Sequence, residues 1–180
     1  MIHDAPNPFQ QLVVLEESFR HHAQPLPRRV AAEEPWLGIG FRIAGLDLLV
    51  PLPEVVEILT PPALSRVPGA RGWVRGLANV RGNLLPVMDL HGYLYGQVSH
   101  ISARSRILVV DHEGIYSGLL VAEVLGLKHF APRQHLERPP ADDQALQPYL
   151  VAGFDDGERQ WSVFSLHRLA VTPRFLQVAV

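Results

Sequence analysis

Histidine is the residue type this chain offers most freely for chemistry, with nine present. A pair of imidazoles at i, i+4 beside a glutamate would make a hydrolytic zinc site, and alternating Cys and His pairs would make a zinc finger. His21, His22, His91, His100, His112, His129, His135 and His167 fit neither spacing. Cysteine is absent, which removes thiolate nucleophiles, disulfides and cysteine-ligated metals. The carboxylate pairs Glu16-Glu17, Glu33-Glu34, Asp142-Asp143 and Asp155-Asp156 fall in helix, linker or turn contexts, where solvated charge is the ordinary role. Gly114-Ile115-Tyr116-Ser117-Gly118 puts its serine off the nucleophile-elbow position, between two strand patterns. Gly38-Ile39-Gly40 lacks the third glycine of a dinucleotide loop and precedes a strand. Ile107-Leu108-Val109-Val110-Asp111 imitates the first strand of a phosphoryl-accepting receiver. His112-Glu113-Gly114 then turns into another strand instead of a helix, and the remaining ~70 residues are too few to complete that fold. The chain is expected to have no active site, no cofactor and no metal.

The local charge concentration is Arg66, Arg71, Arg75 and Arg81, with Trp73 among them. Nucleic-acid binding on a small barrel needs several exposed aromatics between basic residues. One is present, and the net charge of -2 supplies no general attraction. Guanidinium groups beside an aromatic suit a protein-docking face for an acidic partner.

These residues belong to a stretch, Arg75 to Gly96, that reads as strand, turn, strand and short helix. Ala78 and Val80 alternate with Asn79 and Arg81, so one face can join a core while the other meets a partner. Gly82-Asn83 is the expected hairpin turn, and Pro86 implies an edge strand or a bulge. Before it, Asn7-Pro8 opens a helix of about four turns, followed by a proline-rich linker. Residues 1–35 are therefore read as helix plus linker, and 36–180 as the folded body. Leu37 to Val50 forms a hairpin, and Arg106 to Val121 forms another. Gly45 maps onto Gly114 and Glu54 onto Glu123 at an offset of 69, and Asp89-Leu90-His91 onto Ser165-Leu166-His167 at 76. Such a tandem predicts a mainly all-β fold of two small intertwined barrels, which hide their sheet edges. Sixteen prolines leave little room for long helices. No export signal or membrane span is indicated, so the cytoplasm is the expected compartment.

Gly76-Leu77-Ala78-Asn79-Val80-Arg81-Gly82 followed by Pro86-Val87-Met88-Asp89-Leu90 closely resembles the CheW-like signature, and the resemblance extends loosely from Trp36 to Ala170. It is closest to the adaptors of chemosensory systems that control type IV pili and twitching motility. What it implies is a non-enzymatic adaptor of two five-stranded SH3-like barrels with short connecting helices. Its implied partners are the cytoplasmic tip of a methyl-accepting chemoreceptor and the regulatory domain of a CheA-like histidine kinase, with no nucleic acid and no membrane insertion. It would be cytoplasmic and recruited to receptor arrays. Carried over by motif position, Gly76 and Arg81 are receptor contacts; Asn79 and Arg75 join them as candidate partner-binding residues from the polar face and the charge cluster. A small-molecule-binding barrel and an OB-like nucleic-acid binder are the alternatives.

Overall fold

In a computed structural model, residues 34–179 are described. The expected N-terminal helix and most of its linker lie outside them. Among the described residues period-two alternation produces eleven strands in two sheets. The first sheet holds β1 (Trp36–Ile43), β2 (Leu46–Pro51), β8 (Glu123–Phe130), β9 (His135–Leu136), β10 (Leu150–Asp155) and β11 (Gln160–Phe164), in the order β8-β1-β2-β11-β10-β9. The second holds β3 (Glu57–Leu59), β4 (Val74–Val80), β5 (Asn83–Asp89), β6 (Arg106–His112) and β7 (Ile115–Val121), in the order β3-β6-β7-β5-β4.

The two orders are related. Exchanging β1 with β6, β2 with β7, β3 with β8, and the β4–β5 hairpin with β10–β11 converts one into the other, leaving β9 as an addition. Each sheet thus takes its leading hairpin from one half of the chain and its other main strands from the other half. The parallel contacts match too, β11 on β2 and β7 on β5.

The expectation of closed barrels is not met: among the described residues neither sheet joins its last strand to its first by a ladder. The second sheet shows why. Its edge β3 has three residues, and Pro61-Pro62, which lack backbone N–H donors, follow almost at once. Beyond them a single residue, Ser65, exchanges two 2.9 Å backbone hydrogen bonds with Leu77 of β4. In the first sheet the terminal β9 is two residues long. Short edges limit strand addition without closure.

The main core lies between the sheets, filled by Phe41, Leu48 and Phe164 from one and Leu108, Val110 and Leu119 from the other. A smaller cluster under the second sheet contains Ala78, Leu85, Val87, Ile107, Val109 and Leu120. Burying each large aliphatic side chain contributes roughly 1.5–3 kcal/mol, so this shared core ties the sheets together. Among the described residues three short α-helices cover its ends: α1 (Leu90–Tyr95), α2 (Leu166–Ala170) and α3 (Pro173–Leu176). Asp89 caps α1 through Gly92 N–H and Ser165 caps α2 through Arg168 N–H, so the repeated tripeptides are helix starts.

The segment that imitated a receiver is β6, and it enters β7 through Glu113-Gly114, both with positive φ. Ala44-Gly45 and Arg81-Gly82 make the corresponding two-residue turns of β1–β2 and β4–β5. The third turn therefore falls one residue before the expected Gly82-Asn83, with Asn83 already paired to Val80. Pro86 lies in an interior strand, just outside the β5–β7 ladder of Val87 to Asp89, and the bulge is in β4 instead.

Candidate partner-binding site

Arg81 stands at the tip of the β4–β5 hairpin with φ of 52° and its side chain 80% exposed. A non-glycine residue is uncommon in the left-handed region, and here the turn is held from within. The Asn79 side-chain oxygen accepts the Gly82 N–H at 2.9 Å. The Arg81 guanidinium donates to Glu57 Oε1 at 2.7 Å, joining the hairpin tip to β3. Val56 and Ile58, on either side of Glu57, are exposed, as is Leu84, which pairs opposite Asn79. The rim around the ion pair is therefore mixed in polarity and open to solvent.

Gly76 and Arg75 occupy a different environment. The β4 register slips between Val74 and Gly76, so Arg75 is the extra residue of a bulge. Gly76 has φ of 135° and is buried, and a Cβ there would overlap the Ser65 carbonyl oxygen. Its glycine is required by backbone contact. Arg75 donates to Ser99 O at 3.0 Å and approaches Asp89 Oδ2 at 3.5 Å. Asp89 is fully buried, and its carboxylate also accepts Gly92 N–H, Ser99 N–H at 2.6 Å and Ser99 Oγ–H at 2.8 Å. Arg75 is thus a partner of this carboxylate and braces the segment after α1.

The structure disperses the four-arginine cluster. Arg71 bonds the chain end, through Nε to Gln177 O at 2.7 Å and N–H to Val178 O at 2.9 Å. Trp73 is a core residue, edge-on to Tyr93 and stacked on Phe175. Of the four candidate site residues, Asn79 and Arg81 share the exposed hairpin end; Gly76 and Arg75 support the strand behind it.

Sequence reading missed Asp89 as a buried hub and Glu54 as its counterpart. Glu54 accepts Ser165 Oγ–H at 2.9 Å and His167 N–H at 3.1 Å, supplying the carboxylate that the shorter Ser165 lacks. The repeated tripeptide carried the signal. His167 stacks on His112 with ring centroids 3.8 Å apart. Tyr93 and Tyr149 share a buried hydroxyl contact at 2.9 Å, and burial, then that contact, pushes the Tyr93 phenol up. Burial, with hydrogen bonding to Asp143, pushes Tyr95 up to about 12. Among the described residues no His, Asp or Glu group is arranged to hold a metal ion, and no helix is long and apolar enough to cross a membrane.

Residues 37–173 match the CheW-like domain. Protein PilI of Pseudomonas aeruginosa is 43% identical over 177 residues, covering 98% of this chain and 99% of that one. Protein FrzA of Myxococcus xanthus is 29% identical over 140 residues, covering 77% and 88% of the two chains. The crystal structure of the scaffolding protein TtCheW from Thermoanaerobacter tengcongensis shares the fold with a TM-score of 0.65 at 22% identity, over 78% of this chain and 95% of that one. With its signature on β4–β5 and the match extending across both sheets, the chain belongs to the CheW-like family of non-catalytic adaptors.

Proposed function

We propose that this adaptor couples the cytoplasmic tip of a methyl-accepting chemoreceptor to the regulatory domain of a CheA-like histidine kinase in the control of type IV pili and twitching motility. On this reading it acts in the cytoplasm and reaches receptor arrays through its partners. The extensive likeness to a PilI protein supports the choice of system. The observation that carries the contact site is Arg81: a guanidinium 80% exposed on a turn fixed by Asn79 and paired, among the described residues, only to the rim residue Glu57. An exposed ion pair contributes about 0–1 kcal/mol, so a carboxylate or carbonyl on a receptor helix can take over the guanidinium at small loss. Exposed Val56, Ile58 and Leu84 offer apolar surface beside it. Coupling then arises from different affinities for two receptor–kinase arrangements, with no bond made or broken.

Co-purification with a receptor cytoplasmic fragment and a kinase regulatory domain tests this. The wild type should retain both, and Arg81→Ala should lose the receptor fragment while keeping its own fold. Failure of the wild type to bind either partner refutes the adaptor reading; undiminished receptor binding by Arg81→Ala removes this residue from the contact.

A further inference from the structure

Of the four sheet edges among the described residues, three are blunted. β3 has three residues, β9 has two, and β4 is met by Ser65 through its two bonds to Leu77. The fourth, β8, runs for eight residues and pairs with β1 alone. Two features of β8 would deter a foreign strand. One is Lys128, the sole lysine of the chain, whose ammonium lies 5.1 Å from the Trp161 ring centre and has no carboxylate partner among the described residues. The other is a bulge: the register slips at Gly40/Phe41, leaving Leu125 as an extra residue beside Gly126, which has φ of 93°.

We propose that β8 is the edge on which a second copy of this chain pairs, antiparallel and about a two-fold axis, with Glu123 of each copy opposite Lys128 of the other. The β1 register sets the faces. Val124 and Leu127 lie opposite Phe41 and Ile39, on the main-core face; Glu123 and Lys128 lie opposite Arg42 and Gly38, on the other. Placing Glu123 against Lys128 also places Val124 against Leu127, so the faces agree. A slip of one residue sets a core-side residue against an outer one, and a slip of two that puts Glu123 against Phe130 loses both charge pairs. The bulge then selects for an identical strand. Leu125 and Gly126 of one copy meet Gly126 and Leu125 of the other, two against two, and the ladders on either side stay in phase, whereas a regular strand would lose phase there. The side chains are free for this contact. Leu127 is 49% exposed, and Glu123 gives Oε2 to Arg42, which leaves Oε1 for the lysine. The pairing belongs to the first sheet and does not use Arg81.

Sedimentation of the full chain across about 5–500 µM should show the mass rising from 20.0 kDa toward twice that value. A carbodiimide, which joins an amine to a carboxylate without a spacer, should link an isotope-labelled copy to an unlabelled one between Lys128 and Glu123; the single lysine makes the site unambiguous. Lys128→Glu and Glu123→Lys each set like charges opposite one another twice per dimer, and each should weaken self-association about tenfold. Mixed together, the two variants regain both opposite-charge pairs and should associate about as tightly as the wild type, a rescue that misfolding would not give. The proposal is overturned if the wild type stays at 20.0 kDa over the whole range, which would leave this edge to a strand of another protein. It is equally overturned if the cross-link joins Lys128 to a residue other than Glu123, if the single variants associate like the wild type, or if the mixed variants fail to associate.

Discussion

Replacing Asp89 by asparagine tests whether the signature aspartate is a buried structural hub. The change keeps shape and volume, so no cavity term enters. Oδ1 accepts Gly92 N–H and Ser99 Oγ–H; Oδ2 accepts Ser99 N–H and faces Arg75. An amide nitrogen at the Oδ2 position would confront two donors. At the Oδ1 position Ser99 Oγ can rotate to accept, and the loss is the α1 cap, about 1 kcal/mol, together with the charge opposite Arg75. A hydrogen bond to a charged group contributes about 1.5–3 kcal/mol, so the better orientation loses roughly 2–4 kcal/mol in all. With a urea m-value of roughly 2 kcal/mol/M, the unfolding midpoint should fall by about 1–2 M at neutral pH. Trp73 is a natural reporter, because its carbonyl accepts Asp89 N–H at 2.7 Å and its ring packs in the core. A midpoint within about 0.25 M of wild type, equivalent to roughly 0.5 kcal/mol, would refute the hub and return Arg75 to the pool of free contact residues.

Arg81→Ala should change stability by no more than about 0.5 kcal/mol in urea unfolding, since its pair with Glu57 is exposed; a larger loss would make it a structural brace. Gly76→Ala should destabilise by about 2 kcal/mol or more, because neither φ of 135° nor the Ser65 carbonyl leaves room for a methyl group, and any binding loss must be read beside its unfolding midpoint. Tyr95 favours its neutral form when folded, so its contribution is fully present below the ordinary tyrosine value of ~10 and is lost as pH rises through about 12. Tyr95→Phe should therefore lower stability at pH 9 and flatten its decline between pH 10 and 12, measured as urea midpoints across that range.

Alternation and glycine spacing made the hairpins legible, and residue types at fixed offsets made the family legible. What stayed hidden depends on contacts distant in sequence. Nothing local to Arg75 announces the slip between Val74 and Gly76 that turns it onto Asp89. Trp73 and the arginines look like one docking face until Phe175 and Gln177 arrive from the far end of the chain to claim Trp73 and Arg71. The turn shifted by one residue because Gly82-Asn83 and Arg81-Gly82 both contain a glycine suited to positive φ; the Asn79 bond to Gly82 N–H belongs to the second. Pro61-Pro62 were visible, but a sequence pattern gives strands without saying whether the edges meet. Of the candidate site, Asn79 and Arg81 could be read from polarity, whereas Gly76 and Arg75 take their roles from Ser65 and Asp89, which sequence spacing does not place beside them.

The exchange of strands between the two halves also dictates when this chain can fold. β1 and β2 wait for β8 and β11, which lie about 90 and 115 residues downstream, and β4–β5 waits for β7. Such distant pairings carry a large loop-closure entropy and place the protein among slow folders. On the ribosome, the signature hairpin emerges well before the strand that seats it. The nascent chain therefore exposes apolar strands until β11 has been made, and neither half is a self-sufficient folding unit.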